Sequence, residues 1–319
     1  MAAERARLVV VVPPASSLTV AGGVTAVVLS WNRRADTLDC LRSLASAEGP
    51  LRVILVDNAS TDGSADAVAR EFPDVTLILN DANLGFAAGN NVGLRRALED
   101  GADWVLVLNN DVVVEPGFLP PLLEEAARRP DAGALSPKIL LADPPDVIWF
   151  AGARYDPRRG YNGRQRGYGE RDDGRFDELW ETDRVCGAAM LVPRAVLDQD
   201  GLFDEALFAY SEDTDWSLRV RERGHRLWVV PASRVHHRVS AASGGESSPT
   251  SLYYDTRNAL IVAERHAPLG GLGTWRRRLV LVGAHLAQAA TAPRRRDALA
   301  AVLTGWRDFR RGRTGRRIP

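Results

Sequence analysis

A chain of 319 residues, 45% of them hydrophobic, is long enough for one large α/β domain with an appendage or for two small domains, and too apolar to be globally disordered. Its 41 basic and 41 acidic residues cancel, so no global field points to a nucleic-acid partner. Two cysteines, Cys40 and Cys186, exclude a disulfide framework or a cysteine metal cluster and leave a reducing cytosol as the expected compartment.

Lys138 is the only lysine, which excludes any mechanism needing several. Residues 1–23 carry LVVVVPPASSL, an apolar run too short and too Pro-broken to span a bilayer and without the layout of a signal peptide. They read as an extension. The longest later apolar run, Leu279 to Ala292, is interrupted by His285 and Gln288.

From residue 24 the pattern becomes regular. VTAVVL (Val24–Leu29) reads as a buried strand and Arg33–Ala47 as a helix, with Leu38, Leu41, Leu44 and Ala45 at helical spacing. LRVILV (Leu51–Val56) is a second strand ending at Asp57, and Asp62 is placed to cap a helix running to Glu71. Val75–Leu79, a helix over Phe86–Leu98 and a strand over Trp104–Leu108 follow. Alternating strands and helices at this spacing predict an α/β fold, a Rossmann-like, mostly parallel sheet with helices on both faces. Ligands of such sheets bind at the carboxyl ends of the strands, and the polar clusters fall there: Ser30-Trp31-Asn32-Arg33, Asp57-Asn58-Ala59-Ser60 and Asn109-Asn110-Asp111.

After a helix from Pro116 to Arg129 the regularity fades, and residues 152–184 read as an irregular insertion. CGAAMLV (Cys186–Val192) rejoins the core. Glu212–Arg223 is predicted helical and Arg226–Val230 a strand, with His236 and His237 after it. Ser240–Thr250 is small and polar. Leu252–Arg265, Gly273–Ala290 and Ala298–Arg311 read as helices, and no internal repeat is visible.

The chemistry-bearing residues each have a plain structural alternative. Asp57 suits a ribose or base contact, but SWNRR after the first strand lacks the glycines of a dinucleotide fold, and there is no P-loop. Turn formation is the alternative for Asp57-Asn58. In NLGFAAGNN, Asn83, Gly85 and Asn91 surround a helix start whose N–H groups suit an anion or a sugar, or simply a capped loop. Asn109, Asn110 and Asp111 offer one carboxylate and two amide oxygens to Mg²⁺ or Mn²⁺, and either His236 or His237 offers a nitrogen more suited to Mn²⁺. Glu212, Asp213 and Asp215 follow an aromatic run (Phe208, Tyr210). A carboxylate beside apolar walls suits a general base, while acids in a first helical turn also suit the helix dipole.

Taken in order, VVLSWNR, VDNASTDGS, NLGFAAGNNVGL, LNNDVVV, CGAAMLV, GLFDEALFAYSEDTDWSLR and the His236 region resemble family 2 inverting glycosyltransferases, nearest to the rhamnosyltransferase-like branch that also includes galactofuranosyltransferases. The resemblance covers about residues 24–265. It implies a GT-A fold, with a nucleotide-binding half over 24–115 and an acceptor and catalytic half over 116–265, and a nucleoside-diphosphate sugar as donor. Ser30, Asn32, Arg33, Asp57, Asn83, Gly85, Asn91 and Asn110 are implied on the donor side, with Asp57 against the pyrimidine edge. Asp111 stands at the metal motif with Asn109 and His236 as further ligands. Asp213 matches the base, supported by Glu212, and Tyr210, Asp215 and Trp216 are implied on the acceptor side. The family's metal motif usually opens with Asp, and Asn109 is a weaker ligand, so the resemblance implies Mn²⁺ or Mg²⁺ less firmly than it implies the donor.

It also implies transfer to a hydroxyl of a glycan or a lipid-linked glycan, with dTDP-rhamnose the first expected donor and UDP-sugars next. A non-catalytic nucleotide-sugar-binding module, a nucleotide-dependent oxidoreductase and a nucleotidyltransferase are the competing readings. Residues 266–319 form a basic helical extension, with Trp275, Leu279, Val282 and Leu286 at helical spacing and arginine triplets at 276–278 and 294–296. Such a helix suits peripheral contact with an anionic membrane at the inner face of the cell membrane, packing on the catalytic domain, or a homodimer contact.

Overall fold

A computed structural model describes residues 23–156, 165–239 and 247–317. The N-terminal extension, part of the 152–184 insertion and most of the Ser240–Thr250 stretch lie outside them. The elements run β1 (Val24–Ser30), α1 (Arg34–Ala45), β2 (Leu51–Asp57), α2 (Ser64–Glu71), β3 (Thr76–Leu79), α3 (Gly85–Glu99), β4 (Trp104–Asn109), β5 (Val112–Val114) and α4 (Leu119–Arg128). There follow β6 (Ala132–Leu141), β7 (Ile148–Phe150), β8 (Trp180–Thr182), β9 (Ala189–Pro193), α5 (Arg194–Asp200), α6 (Glu212–Glu222), β10 (Arg226–His237), α7 (Pro249–His266), α8 (Gly271–Thr291) and α9 (Arg295–Arg310).

One mixed sheet in the order β3-β2-β1-β4-β9-β6-β10-β5 organises the chain, with β7 on β6 and β8 on β10. The β3-β2-β1-β4 half is parallel, and β9 joins it antiparallel to β4. Side chains alternate across each strand, so the sheet separates two cores. Ala26, Val28, Leu55, Leu106 and Leu108 face α1, α2 and α4, whereas Val27, Ile54, Val56, Val105 and Val107 face α3, α5 and α6. Helix α3 lies close on β1 because a Cβ at Gly93 would stand 2.4 Å from a Val27 methyl. The register pairs Ser30 with Asp57 and Leu29 with Asn109, which brings the polar strand ends together at one edge.

Two strands depart from the sequence reading. Residues 132–141, expected to be irregular, form a buried ten-residue strand. Its Ser136, Pro137 and Lys138 break the apolar pattern, but Ser136 Oγ donates to the Ala189 carbonyl and Lys138 is neutralised by Asp172 (2.6 Å) and Asp177. Strand β10 runs on through Pro231 as far as His237, the register slipping between Val230 and Arg234. A proline in a strand is absorbed by such an irregularity. Both histidines therefore sit in the sheet, pointing to opposite faces, and not in a loop. Helices α7, α8 and α9 pack together through Leu252, Leu281, Ala289, Ala298 and Val302.

Candidate active site

The donor end is built on β1 and β2. Asn32 and Arg33 both adopt left-handed backbone (φ 58° and 63°), a turn fixed from the β2 side. Asn32 N–H donates to Ser60 Oγ (2.7 Å), and Asn32 Oδ1 accepts from Thr61 N–H (2.9 Å). Ser30 Oγ and Thr37 Oγ1 are 3.0 Å apart, and Arg33 pairs with Asp36 (2.8 Å). Asp57 is 3% exposed. Its Oδ1 accepts from Ser60 N–H (2.8 Å), while Oδ2 is buried with no partner in the protein. Burial is the main cause that pushes its carboxyl above the usual range. A buried acceptor with no donor is costly in the free protein and is a ready seat for a ligand N–H.

Asn58, read from sequence only as a turn former, ties this end to α3. Its Nδ2 donates to Gly85 O (3.1 Å) and Asn83 Oδ1 (3.2 Å), and its Oδ1 accepts from Asn80 Nδ2 (3.0 Å) and Leu84 N–H (3.2 Å). Gly85 has φ 84°, and a Cβ there would lie 2.5 Å from the Phe208 ring and carbonyl, so only glycine admits that approach.

Beyond β4, Asn110 Nδ2 donates to Thr37 Oγ1 (2.9 Å) and Cys40 Sγ to the Asn109 carbonyl (3.6 Å). Asp111 is buried, with Oδ1 3.0 Å from Nε2 of His237 but in no hydrogen-bonding geometry. His237 packs edge-on against Trp149, ring centres 4.4 Å apart. His236, on the other face of β10, instead meets Glu115 (3.1 Å). Of the two histidines it is thus His237 that stands beside Asp111, because the period of two along β10 turns His236, the one expected there, to the other face. Among the described residues no three His, Cys, Asp or Glu side chains gather as a metal cluster.

Across the sheet, α6 opens with Glu212 and Asp213, both buried. Asp213 Oδ2 accepts from Gly187 N–H (3.1 Å) and pairs with Arg184 (3.3 Å), and Oδ1 accepts from Thr214 (3.2 Å). Glu212 Oε2 is buried without a partner, and burial followed by the charge of Asp213 pushes its carboxyl well up. The neutral form of Glu212 is favoured, so the pair does not carry two charges side by side. Arg184 and Gly187 escaped the sequence reading, although Gly187 lies inside CGAAMLV, the motif taken there as core.

The profile described as Glycosyl transferase family 2 matches residues 25–201, more than half of the chain. The chain belongs to glycosyl transferase family 2. It is a glycosyltransferase of the inverting, nucleotide-sugar-dependent kind, similar in sequence to rhamnosyltransferases. It is 32% identical over 256 residues to the N-acetylglucosaminyl-diphospho-decaprenol L-rhamnosyltransferase of Mycobacterium tuberculosis, which covers 74% of this chain and 81% of that one. It is 24% identical to the dTDP-rhamnosyl transferase RfbF of Shigella flexneri, covering 77% and 82%. Among solved structures it shares the fold of GalNAc-T7 with UDP, GalNAc and Mn²⁺ (TM-score 0.58, 16% identity, 81% and 53% covered). It also shares that of the Pyrobaculum calidifontis mannosyltransferase PcManGT in complex with GDP-Man and Mn²⁺ (TM-score 0.53, 17%, 93% and 79%). The α/β architecture read from the sequence is thus the GT-A fold.

Several residues expected to line the transferase's ligands are held by other parts of the chain. Asn91 is buried, its Nδ2 donating to the Phe203 carbonyl and Glu205 (both 2.9 Å) and its Oδ1 accepting from Phe203 N–H (3.0 Å). It fastens the segment before α6 to α3. Trp216, expected on the acceptor side, is fully buried and donates to the Gly201 carbonyl (3.0 Å). Asp215, expected there too, is equally buried between Arg219 (3.0 Å), Arg265 (2.6 Å) and His266 (2.9 Å). On α6, Asp213 turns toward Gly187 and Arg184, whereas Asp215 and Trp216 turn inward. Tyr210 is half-buried with left-handed backbone (φ 68°), packed against the Tyr253–Tyr254 cluster.

Proposed function

We propose that this transferase moves rhamnose from dTDP-rhamnose to a hydroxyl of a lipid-linked glycan, with Asp213 as general base. The observation that carries the reading is the pair of carboxylates opening α6: Asp213 is oriented by Gly187 and Arg184, and its neighbour Glu212 is held toward the neutral form. The acceptor oxygen attacks the anomeric carbon in line and gives its proton to Asp213. The new C–O bond forms as the bond to the diphosphate breaks, dTDP leaves with the electron pair, and the configuration inverts in one step. The names of the relatives in Mycobacterium tuberculosis and Shigella flexneri support the sugar, and the former supports a polyprenyl diphosphate acceptor.

Asp57 Oδ2 suits the N3–H of thymine or uracil, which would satisfy the orphaned acceptor. Asp111 and His237 suit a divalent cation. Cis ligands of an octahedral ion bound at about 2.1 Å stand roughly 3 Å apart, and such ions complete their shell with substrate phosphate. The separation of 3.0 Å between Asp111 Oδ1 and His237 Nε2 fits that demand. When bound, the cation would neutralise charge developing on the leaving diphosphate.

A lipid-linked acceptor agrees with the outer face of α8, where Leu272, Trp275, Leu279 and Val280 are 85, 51, 64 and 47% exposed. Residues 266–319 hold twelve arginines against two aspartates, the charge balance for an anionic surface. No helix among the described residues is long and apolar enough to cross a membrane. On this reading the enzyme works from the cytoplasmic side as a peripheral protein.

The test is thermal stabilisation by dTDP, UDP and GDP with and without Mn²⁺, followed by release of dTDP from dTDP-rhamnose in the presence of a synthetic GlcNAc-diphospho-lipid. Stabilisation by dTDP that grows with Mn²⁺, and acceptor-dependent release, are expected. Stabilisation by GDP alone would overturn the donor assignment. Flotation with phosphatidylglycerol vesicles but not with phosphatidylcholine ones is expected, and its absence at low salt would remove the membrane contact.

A further inference from the structure

The strained segment in front of the base calls for an account of its own. Phe208 has φ 67° and ψ −63°, and Ala209 N–H donates back to the Leu207 carbonyl (2.8 Å). That is a γ-turn of positive φ, which non-glycine residues adopt at a cost. Beyond Ala209, Tyr210 and Ser211 have left-handed backbone (φ 68° and 67°), and Ser211 stands directly before Glu212 and Asp213 at the start of α6 without a side-chain cap. Three departures from ordinary backbone within four residues persist only where the surroundings impose them.

The surroundings are two buried residues of α7. Asn258 Nδ2 shares its hydrogens among the carbonyls of Leu207 (2.9 Å), Ala209 (2.8 Å) and Tyr210 (2.8 Å). Arg257 Nη2 donates to the Leu207 carbonyl as well (3.0 Å), and Arg257 Nε donates to Asn258 Oδ1 (2.9 Å), which fixes the amide's orientation. The C-terminal tail closes the assembly. Arg257 Nη1 donates to Gly315 O (2.7 Å), Gly315 N–H donates to Ala206 O (2.6 Å), and Arg317 N–H donates to Tyr254 Oη (2.9 Å). On the far side Phe208 O accepts from Ala87 N–H of α3 (3.1 Å), so the same turn touches the donor half.

We propose that Arg257 and Asn258, locked by residues 313–317, are positioning residues that hold the 207–211 turn in strain and thereby set Asp213 for the acceptor. The inference rests on Asp213 being the base. Without the clamp the turn relaxes toward ordinary backbone and the first turn of α6 shifts, while Asp57, which is held by Ser60 and takes no hydrogen bond from the turn, keeps its place. The C-terminal extension is then part of the catalytic apparatus and not only an appendage.

The experiment compares the intact chain with a chain ending at Gly312 and with Asn258→Asp, which keeps the side chain's size and removes its N–H donors. The expected result is a kcat per folded molecule lowered tenfold or more, with KM for dTDP-rhamnose and Kd for dTDP within twofold. A kcat per folded molecule within twofold of the intact chain, even with a lowered Tm, would overturn the proposal, because a purely structural role moves Tm alone. Arg257→Lys, which keeps the buried charge but loses the fork, carries the same comparison if the shortened chain does not fold. Asp213→Asn is run alongside. Turnover by that variant would refute the base itself, whereas a dead Asp213→Asn beside a fully active shortened chain would refute only the clamp.

Discussion

His237 Nε2 lies 3.0 Å from Asp111 Oδ1 across the junction of β10 with β5, both groups buried, and His237 Nδ1 has no partner in the protein. Its sequence neighbour His236 faces the other way, toward Glu115. His237→Ala is therefore expected to raise the Mn²⁺ concentration for half-maximal activity about tenfold or more, by analogy with the loss on disturbing metal shells. His236→Ala should change it less than about twofold. Titration of activity with Mn²⁺ in metal-stripped enzyme decides between them, and the reverse ranking would return the ligand to His236.

Asp213→Asn keeps the shape of the side chain and removes the proton acceptor. Loss of a general base costs about 10²–10⁴-fold in rate. The loss should fall on kcat, with dTDP affinity unchanged, because Asp213 stands on α6 and away from the Asp57 end. Glu212→Gln should be much milder, since burial already favours the uncharged form of Glu212. Steady-state rates and dTDP titration of the three proteins test both statements. Equal losses for the two variants would mean that the carboxylates act as one unit.

Much of this arrangement was legible in the sequence, for identifiable reasons. The apolar runs at 24–29, 51–56 and 104–108 are uninterrupted, and a parallel sheet with its ligands at the strand ends follows from them. The long strand β6 was not legible because Ser136, Pro137 and Lys138 break its pattern, and their compensation comes from Ala189, Asp172 and Asp177, all distant in the chain. The choice between His236 and His237 turned on strand register across Pro231. The fate of Asp215 and Trp216 turned on the rotation of α6, whose acids could face either way until its partners on α7 were placed.

Asp57 combines a cost with a use. Its carboxyl is raised by burial, so its folded pKa lies above its unfolded one. The folded state then binds the proton more tightly, and stability declines as pH rises from the unfolded value, about 3.9, through the folded one. Above the folded value the free enzyme carries that destabilisation in full. Asp57→Asn should raise the Tm of the ligand-free protein by about 2 °C. The same change should weaken dTDP by about 10- to 100-fold, the worth of a hydrogen bond to a charged group. Calorimetry without ligand and with dTDP measures both, and a variant that is less stable without ligand would show that Asp57 is already satisfied in the free enzyme.

The buried cluster on Asp215 joins α6 to α7, and Asp215 itself contributes a pH dependence of opposite sign to that of Asp57. Burial alone would raise the Asp215 carboxyl, but His266, Arg265 and Arg219 outweigh it and bring the value down to about 2. Its contribution is present above the unfolded value and lost only as pH falls through about 2. For His266, burial alone would lower the imidazole, and the hydrogen bonds to Asp215 (2.9 Å) and Glu222 (2.7 Å) raise it instead. Its stabilisation is complete below the unfolded value, about 6.5, and fades as pH rises through the higher folded one. His266→Gln should thus lower Tm most at pH 6, with the gap to the parent narrowing toward pH 9. Asp215→Asn removes a shared partner from three groups that keep other acceptors, Arg265 with Asp204, His266 with Glu222 and Arg219 with the Asp200 and Leu202 carbonyls, so its cost at neutral pH should lie near the low end of the about 3–5 kcal/mol found for broken buried pairs. Denaturant midpoints across pH 5–9 follow both variants, and a His266→Gln gap that widened with pH would mean that the imidazole is neutral in the folded protein.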